Sequence, residues 1–290
     1  MILESPPYVF ALFAAFLFAL GDQFQAQGVV YMRARAGAVL GVASSTGCFW
    51  LLAPWFLEVE HFFHPAVLLF AAMGLIRPAL SANLAVASIH HLGPTLTGTL
   101  SAVAPVFGAA FGILWLGEIL TWPVALGTIG IIAAVAMLAH TNTKVAGDWP
   151  AWALLLPIGA AAVRSLSHAG TKVGMIHIPD PYFAALIGNT VSLILLISLQ
   201  GISKNRLPPL MGAGPLWFIV SGAIFALSVL SLNQALLTGT IITVVPIIAA
   251  APVFTMLLSV TIFRREKITF RTLLALGLVL PSVVAVVIWG

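Results

Sequence analysis

Charged residues are scarce in this chain. Asp, Glu, Lys and Arg together make up 7% of its 290 residues, while hydrophobic residues make up 61%. Soluble domains carry about a quarter charged residues, so the composition excludes a soluble globular protein. The mean hydropathy of +1.12 indicates a protein embedded in a lipid bilayer.

Cysteine is nearly absent as well. The single Cys48 lies in an apolar segment, which excludes an intrachain disulfide and a metal site built from cysteines. The sequence also lacks a His-Glu-x-x-His motif, an Asp-x-Asp motif and paired acids in apolar segments, so an intramembrane lipid-modifying enzyme is the least favoured alternative. His90 and His91 have no acid or cysteine at ligand spacing. We therefore expect neither a cofactor nor a bound metal.

Long hydrophilic segments are missing too. The longest candidate loops, 140–148 and 201–214, are too short to bury a core of their own. Windows of about 20 apolar residues, the length that crosses roughly 30 Å of hydrocarbon, fill nearly the whole chain. We predict an all-α integral membrane protein with ten transmembrane helices, the first being a retained helix and not a signal peptide. The predicted spans are 8–30, 37–57, 65–89, 94–116, 122–140, 150–176, 181–200, 214–237, 240–263 and 268–289.

Basic residues follow only some of the predicted spans. Lys and Arg occur after spans 1, 5, 7 and 9, whereas the connections after spans 2, 4, 6 and 8 and both tails carry none. The positive-inside rule then predicts that both termini face outward. The net charge of +4 is therefore a topology signal and does not indicate a nucleic-acid partner. The basic residues in question are Arg33, Arg35, Lys144, Lys204, Arg206, Arg264, Arg265, Lys267 and Arg271.

The two halves of the sequence contain matching segments in the same order. "SANLAVAS" (81–88) matches "SLNQALLT" (231–238), "APVF" occurs at 104–107 and 251–254, and "LGEILTW" (116–122) corresponds to "RREKITF" (264–270). We predict a duplication of a five-helix unit, with residues 1–145 as the first repeat and 146–290 as the second. Because five is odd, the repeats are inverted around a central cavity, as in many secondary transporters.

These features together resemble the EamA branch of the drug/metabolite transporter superfamily. The resemblance depends on the ten spans, the duplication, Pro105 and Pro252 within spans 4 and 9, and the "LGE-x-L-T" turn at 116–121. The second copy departs from it, with Arg264 and Arg265 in place of Leu-Gly. The resemblance implies a helical basket that exports amino acids, other small metabolites or drugs without ATP. It also implies cytoplasmic termini, in conflict with the charge distribution, and we expect a bacterial cytoplasmic membrane.

Four ionisable side chains lie well inside the predicted spans: Asp22, Arg77, Arg164 and His168. Each costs about 2.5–3.5 kcal/mol at the centre of a membrane and therefore needs a partner or a purpose. Asp22 and Arg164 each lie about 14 residues into their spans, at a depth of roughly 20 Å. Two arginines against one carboxylate leave about one positive charge that a substrate anion can balance. Alternatively, Asp22 bridges both arginines and holds spans 1, 3 and 6 together.

Several finer expectations concern the partners of these residues. Matching Gly28 with Gly170 aligns Asp22 with Arg164 across the repeats, and the carbonyl freed by Pro78 is expected to accept a hydrogen bond from Arg77. Glu118 is expected to cap the helix that follows it, together with Thr121. Lys172, on one helix face with Arg164 and His168, is expected to extend to the membrane surface. Asn83 and Asn233 occupy matching positions, either lining the cavity or capping broken helices.

We therefore hypothesise a secondary transporter that exports an amino acid or a similar small carboxylate-bearing metabolite. Asp22 is the candidate for proton coupling or for an ion pair, and Pro105 and Pro252 are candidate gating kinks. A proton-coupled exporter of cationic drugs is the alternative, and facilitated diffusion or exchange stays open because the arginines favour a charged Asp22. The partners are a small metabolite, the bilayer and protons if Asp22 couples, and one chain is expected to suffice. The candidate substrate-binding residues are Arg77, Arg164, Asn83, Asn233, Gln25 and His168.

Overall fold

The chain folds as a bundle of α-helices. The computed structural model describes residues 6–139, 150–202, 212–263 and 270–290, and these ranges contain no β-strand. Short 3-10 segments occur at Val59–Phe63 and Ala151–Leu154. The predicted all-α class is therefore confirmed for the described residues. Their helices are α1 Pro7–Gly28, α2 Ala34–Phe56, α3 Val67–Leu75, α4 Ser81–Ser101, α5 Ala104–Leu116, α6 Trp122–Ala139, α7 Leu155–His177, α8 Pro181–Ile202, α9 Ala213–Thr238, α10 Ile241–Ala249, α11 Ala251–Thr261 and α12 Phe270–Trp289.

Six helical segments are long and apolar enough to cross a membrane, and they coincide with predicted spans 1, 2, 4, 7, 8 and 9. Two shorter apolar segments, Trp122–Leu138 and Leu273–Trp289, coincide with spans 5 and 10. Span 3 is interrupted, and span 6 is the charged helix α7. The count of ten spans therefore stays a prediction. The six long segments are Pro7–Gly28, Ala36–Phe56, Leu96–Leu116, Pro181–Leu199, Ala213–Thr238 and Ile241–Thr261.

The third and fourth predicted spans divide at a different point from the one expected. The sequence predicted a turn at 90–93, but α4 runs without interruption from Ser81 to Ser101. The break lies earlier, at Arg77, whose backbone is extended with φ −127° and ψ 134°. The residue before a proline is pushed out of the helical region by the pyrrolidine ring, and Pro78 follows Arg77 directly. A second break at 102–103 separates α4 from α5.

Both copies of the "APVF" segment begin a helix after a break. Ala104 is the first residue of α5 and Ala251 is the first residue of α11, so Pro105 and Pro252 both lie in a first helical turn. Proline is tolerated there because the N–H that it lacks has no partner within the helix in any case. The two prolines therefore lie at interruptions of spans 4 and 9, as predicted, while their role in gating is untested.

The first and second halves of the chain pack mainly against each other. Helix α1 packs along α9, and α7 packs along α3 and α4; likewise α2 contacts α9, and α8 contacts α3. Helix α5 contacts α10, and α6 lies along α12. The main buried cluster includes Phe70 and Phe183, which come from different halves. The hydrophobic core is thus shared between the halves.

Two glycines allow the backbones of neighbouring helices to meet. A Cβ atom at Gly74 on α3 would lie 2.5 Å from the carbonyl oxygen of Gly188 on α8, and one at Gly222 on α9 would overlap the carbonyl oxygen of Gly41 on α2. Small residues at such crossings let membrane helices gain van der Waals contact along their backbones. These two crossings bring α2, α3, α8 and α9 close together.

We predict that Gly222→Ala destabilises the protein by about 1–3 kcal/mol, the usual cost of forcing extra volume into a packed interior. The measurement is the midpoint of thermal unfolding in detergent. Gly47→Ala, on α2 with no atom within 4 Å of the added methyl, is the matched control and should unfold at or slightly above the wild-type temperature. Equal midpoints for the two variants would show that the α2–α9 crossing is not tightly packed.

Candidate functional site

A cavity lies where six helices of both halves meet. Its volume is about 380 Å³, and residues of α1, α2, α3, α7, α8 and α9 line it. Much of the wall is apolar and includes the rings of Phe18, Phe70 and Phe225. Ligand sites in proteins are commonly concave, mostly apolar pockets of about 300–1,000 Å³ with a few placed polar groups. The cavity has the size and the character of a site for one small molecule.

Four of the predicted substrate-binding residues line this cavity: Gln25, Arg77, His168 and Asn233. Arg164 is not among the lining residues, and neither is the predicted coupling residue Asp22. The side chain of Asn83 lies outside the described part of the chain, although its backbone belongs to α4. The cavity thus brings together four side chains that are far apart in sequence. Their function in substrate binding stays a prediction.

Arg77 projects from the break between α3 and α4. Its guanidinium carbon lies 5.7 Å from the centre of the Phe18 ring, at cation–π distance. The Ser192 hydroxyl oxygen lies 2.6 Å from the carbonyl oxygen of Gly74 and 2.7 Å from that of Arg77. Because Pro78 has no N–H to offer Gly74, Ser192 replaces the missing donor. Among the described residues, the carbonyl freed by Pro78 therefore has the Ser192 hydroxyl as its hydrogen-bond partner.

Asp22, Arg77, Arg164 and His168 form one electrostatic cluster. The charge of Arg164 acts on Asp22 and on Arg77, and both arginines act on His168. Among the described residues, neither Asp22 nor Arg164 takes part in an ion pair within 4.0 Å. The alternative in which Asp22 directly bridges both arginines does not occur in this structure. Their interaction is through space.

His168 is buried, with 5% of its surface exposed, and faces the cavity. Its ring nitrogens have no hydrogen-bond partner in the described residues. Within the same residues, no group of three or more His, Cys, Asp or Glu side chains is close enough to hold a metal ion. The imidazole is therefore available to a ligand.

Amides on α8 and α9 contribute two more polar walls. Asn233 donates from Nδ2 to the carbonyl oxygen of Pro181 at 3.1 Å. Asn189 donates from Nδ2 to Ala185 at 2.9 Å, and its Oδ1 accepts from the Ser45 hydroxyl at 3.3 Å. Asn189 was not among the predicted site residues. Its position inside predicted span 7 was the same signal that identified Asn233, namely an amide within an apolar helix.

The polar segment of α1 around residues 21–25 has two roles: part of it packs against other helices, and part of it lines the cavity. Gln23 is buried and donates from Nε2 to the carbonyl oxygen of Thr255 on α11 at 2.8 Å. Ser221 on α9 donates to the carbonyl oxygen of Gly21 at 3.1 Å. Gln25, two residues further on, lines the cavity. Part of the segment therefore joins helices, as interhelical hydrogen bonds often do in membranes, and part of it faces the cavity.

Comparison with known protein families gives a match in the first half of the chain. The model of the EamA-like transporter family matches residues 5–139. The first half of the chain is an EamA-like transporter domain. The predicted resemblance to EamA-type transporters of the drug/metabolite transporter superfamily is thereby confirmed over these residues, and it implies a membrane transporter.

A solved structure shares the whole fold. It is described only as "Crystal structure of protein", and it aligns with a TM-score of 0.81 at 14% sequence identity over 98% of both chains. At this identity the likeness shows the fold alone. No curated protein matches this chain.

The EamA-like half also contributes an acid that joins three elements at one end of the bundle. Gly117, with φ 63°, ends α5 in a left-handed conformation that suits glycine. The following Glu118 accepts hydrogen bonds from the backbone N–H groups of Ile241 at 2.8 Å and Ile242 at 3.0 Å, at the start of α10. Its Oε1 also lies 3.1 Å from Nζ of Lys172 on α7.

One expectation about this region was wrong. Glu118 caps α10 of the other half and not its own following helix, while the Thr121 hydroxyl donates to the carbonyl oxygen of Trp289 at 3.2 Å. Lys172 pairs with Glu118 and donates to the carbonyl oxygen of Gly239, and its extension to the membrane surface stays a prediction. The corresponding acid of the second half, Glu266, lies outside the described residues.

We predict that Glu118→Ala lowers the stability of the EamA-like fold by about 3–5 kcal/mol, because removing one member of a buried ion pair leaves the other charge uncompensated. The side chains of Glu118 and Lys172 are only 7% and 16% exposed. Thermal unfolding in detergent measures the loss, and Glu60→Ala, at an exposed acid, is the control.

The double variant Glu118→Gln with Lys172→Met, which removes both charges, should regain part of that loss. An unchanged unfolding midpoint in Glu118→Ala would mean that this contact contributes no stability.

Proposed function

We propose that the chain is a secondary transporter that moves small carboxylate-bearing metabolites, the class that includes amino acids, outward across the membrane without ATP. The match of residues 5–139 to the EamA-like transporter family supports a function in transport. The observation that carries the substrate class is the Arg77 side chain in a cavity whose described lining contains no Asp or Glu. Arginine keeps its charge at any accessible pH, and its planar fork fits a carboxylate.

The remaining polar groups orient the substrate and add to the positive potential of the cavity. Gln25, His168 and Asn233 offer hydrogen bonds to the rest of the substrate from the wall of the same cavity. Arg164 adds positive potential, since its charge acts on both Arg77 and His168. Asn83 is retained as a predicted substrate contact.

Alternating access in this proposal is the relative motion of two inverted repeats, residues 1–145 and 146–290. The reciprocal contacts of α1 with α9 and of α7 with α3 and α4 support the repeat. So does the start of a helix at each "APVF" segment, and Pro105 and Pro252 at these breaks are where spans 4 and 9 would bend during gating.

The packing of α1 and α7 also indicates how the repeats align. A Cβ atom at Gly28 would meet the Phe218 ring, and one at Gly174 would meet the Phe70 ring, whereas Gly170 faces Met73. Gly28 is therefore better matched with Gly174. The sequence alone had suggested a match with Gly170. In this alignment Asp22 corresponds to His168.

A cation exporter is the weaker candidate. Its binding site would need an acid in the cavity, and the described lining residues include none. Asp22 lies outside that lining and under the influence of Arg164. No observation favours this second function over the first.

Arg77→Gln is predicted to reduce uptake of labelled carboxylates into proteoliposomes by about tenfold or more, because hydrogen bonds to a charged group contribute about 1.5–3 kcal/mol. Arg33→Gln, at an exposed arginine between α1 and α2, is the matched control and should transport at the wild-type rate. Both proteins must be monodisperse before reconstitution. Normal flux in Arg77→Gln would remove the basis of the proposal.

Asp22→Asn is predicted to abolish any stimulation of transport by an imposed pH gradient while carboxylate flux without the gradient continues. Asp22 is the acid of the electrostatic cluster and interacts with Arg164, so it is the member of the cluster whose carboxylate can take up a proton. Uptake with and without the gradient is compared with that of Glu60→Gln. Persistent stimulation in Asp22→Asn would exclude this residue as the coupling acid. A wild type that ignores the gradient would indicate facilitated diffusion or exchange.

A further inference from the structure

The electrostatics of the cavity distinguish carboxylates from zwitterions. Arg77 is the charged residue among its described lining residues, and His168 is the other titratable group. The acid of the neighbouring cluster, Asp22, does not line the cavity and interacts with Arg164. A bound carboxylate therefore meets an opposite charge, whereas an ammonium group bound beside it meets a like charge. Such interactions gain strength where protein walls exclude water.

Some of the acceptors in the cavity wall already accept a hydrogen bond from the protein. The carbonyl oxygens of Gly74 and Arg77 lie at the C-terminal end of α3, where a cation would otherwise be favoured, but the Ser192 hydroxyl lies between them at 2.6 and 2.7 Å. The Asn189 Oδ1 accepts from Ser45. An ammonium group has three donors and accepts no hydrogen bond, so its transfer from water into this cavity is unfavourable.

The rest of the wall suits an apolar substituent. The Phe70 and Phe225 rings, together with Leu196 and Val229, line the cavity beside its polar groups. Phe18 faces the Arg77 guanidinium, so its ring carries the apolar surface up to the charge. A ligand that fits has a carboxylate at one end and a hydrocarbon or aromatic group at the other.

We propose that this cavity selects apolar monocarboxylates that lack an ammonium group over the amino acids with the same carbon skeleton. The proposal rests on the function proposed above and narrows it. The cavity recognises the carboxylate through Arg77 and disfavours the zwitterion because its described lining provides no acid to balance the ammonium group.

The test compares matched pairs of labelled solutes in proteoliposomes that hold the full chain. The pairs are phenylpyruvate with phenylalanine and 4-methyl-2-oxopentanoate with leucine, and protein-free vesicles give the passive rate to subtract. We expect protein-dependent initial rates about tenfold or more higher for each 2-oxo acid, equivalent to about 1.4 kcal/mol of selectivity. Gln25→Glu, which adds a carboxylate of nearly the same shape to the cavity wall, should shift this ratio toward the amino acid.

The outcomes separate this inference from the proposed function. Equal or faster transport of the amino acids, still lost in Arg77→Gln, would overturn the selectivity and leave the carboxylate transporter in place. Absence of Arg77-dependent flux for both members of each pair would overturn both proposals. If Gln25→Glu does not fold, the wild-type ratio alone decides the selectivity. If it folds and the ratio stays unchanged, the missing acid is not the cause and the proposal fails.

Discussion

A helix that breaks inside a membrane must find new partners for its backbone groups, and the site of this protein depends on how one break is satisfied. Pro78 removes a donor from α3 and holds Arg77 in an extended conformation. In hydrocarbon an unsatisfied carbonyl costs several kcal/mol, so irregular backbone persists only where protein or a cavity surrounds it. Ser192 on α8 supplies the donor for the end of α3. The break can then persist, and the arginine at its centre projects into the cavity.

The same region needs close packing of the surrounding helices. Gly74 lets the backbone of α3 approach Gly188 on α8, which brings Ser192, one helical turn further along α8, to the broken end of α3. Gly222 brings α9 equally close to α2 at Gly41. Substituents at these glycines would separate the helices that carry the polar lining. The small residues are therefore part of the site although they offer a ligand no functional group.

The sequence was sufficient for features that depend on local chemistry. Apolar windows predicted the helices, and polar residues inside those windows identified Arg77, Gln25, His168 and Asn233, all of which line one cavity. Asn189 gave the same signal and was overlooked. Hydrogen bonds between distant parts of the chain could not be predicted: Ser192 and Glu118 bond to groups more than 100 residues away. The turn expected at 90–93 was wrong because α4 continues through it, and the break lies instead at Arg77, whose backbone is restricted by the following Pro78.

The distribution of charge within the described helices explains why the cavity would attract an anion. Lys172 on α7 is neutralised by Glu118, whose carboxylate also caps α10. Arg164, eight residues earlier on the same helix, interacts electrostatically with Asp22. Arg77 remains, and within the described part of the chain its guanidinium has a Phe18 ring beside it and no acid in the cavity that it lines. A charge that cannot be lost and has no acid in the described lining of its own cavity is stabilised by an anion that enters from outside, which supports the proposed carboxylate substrate.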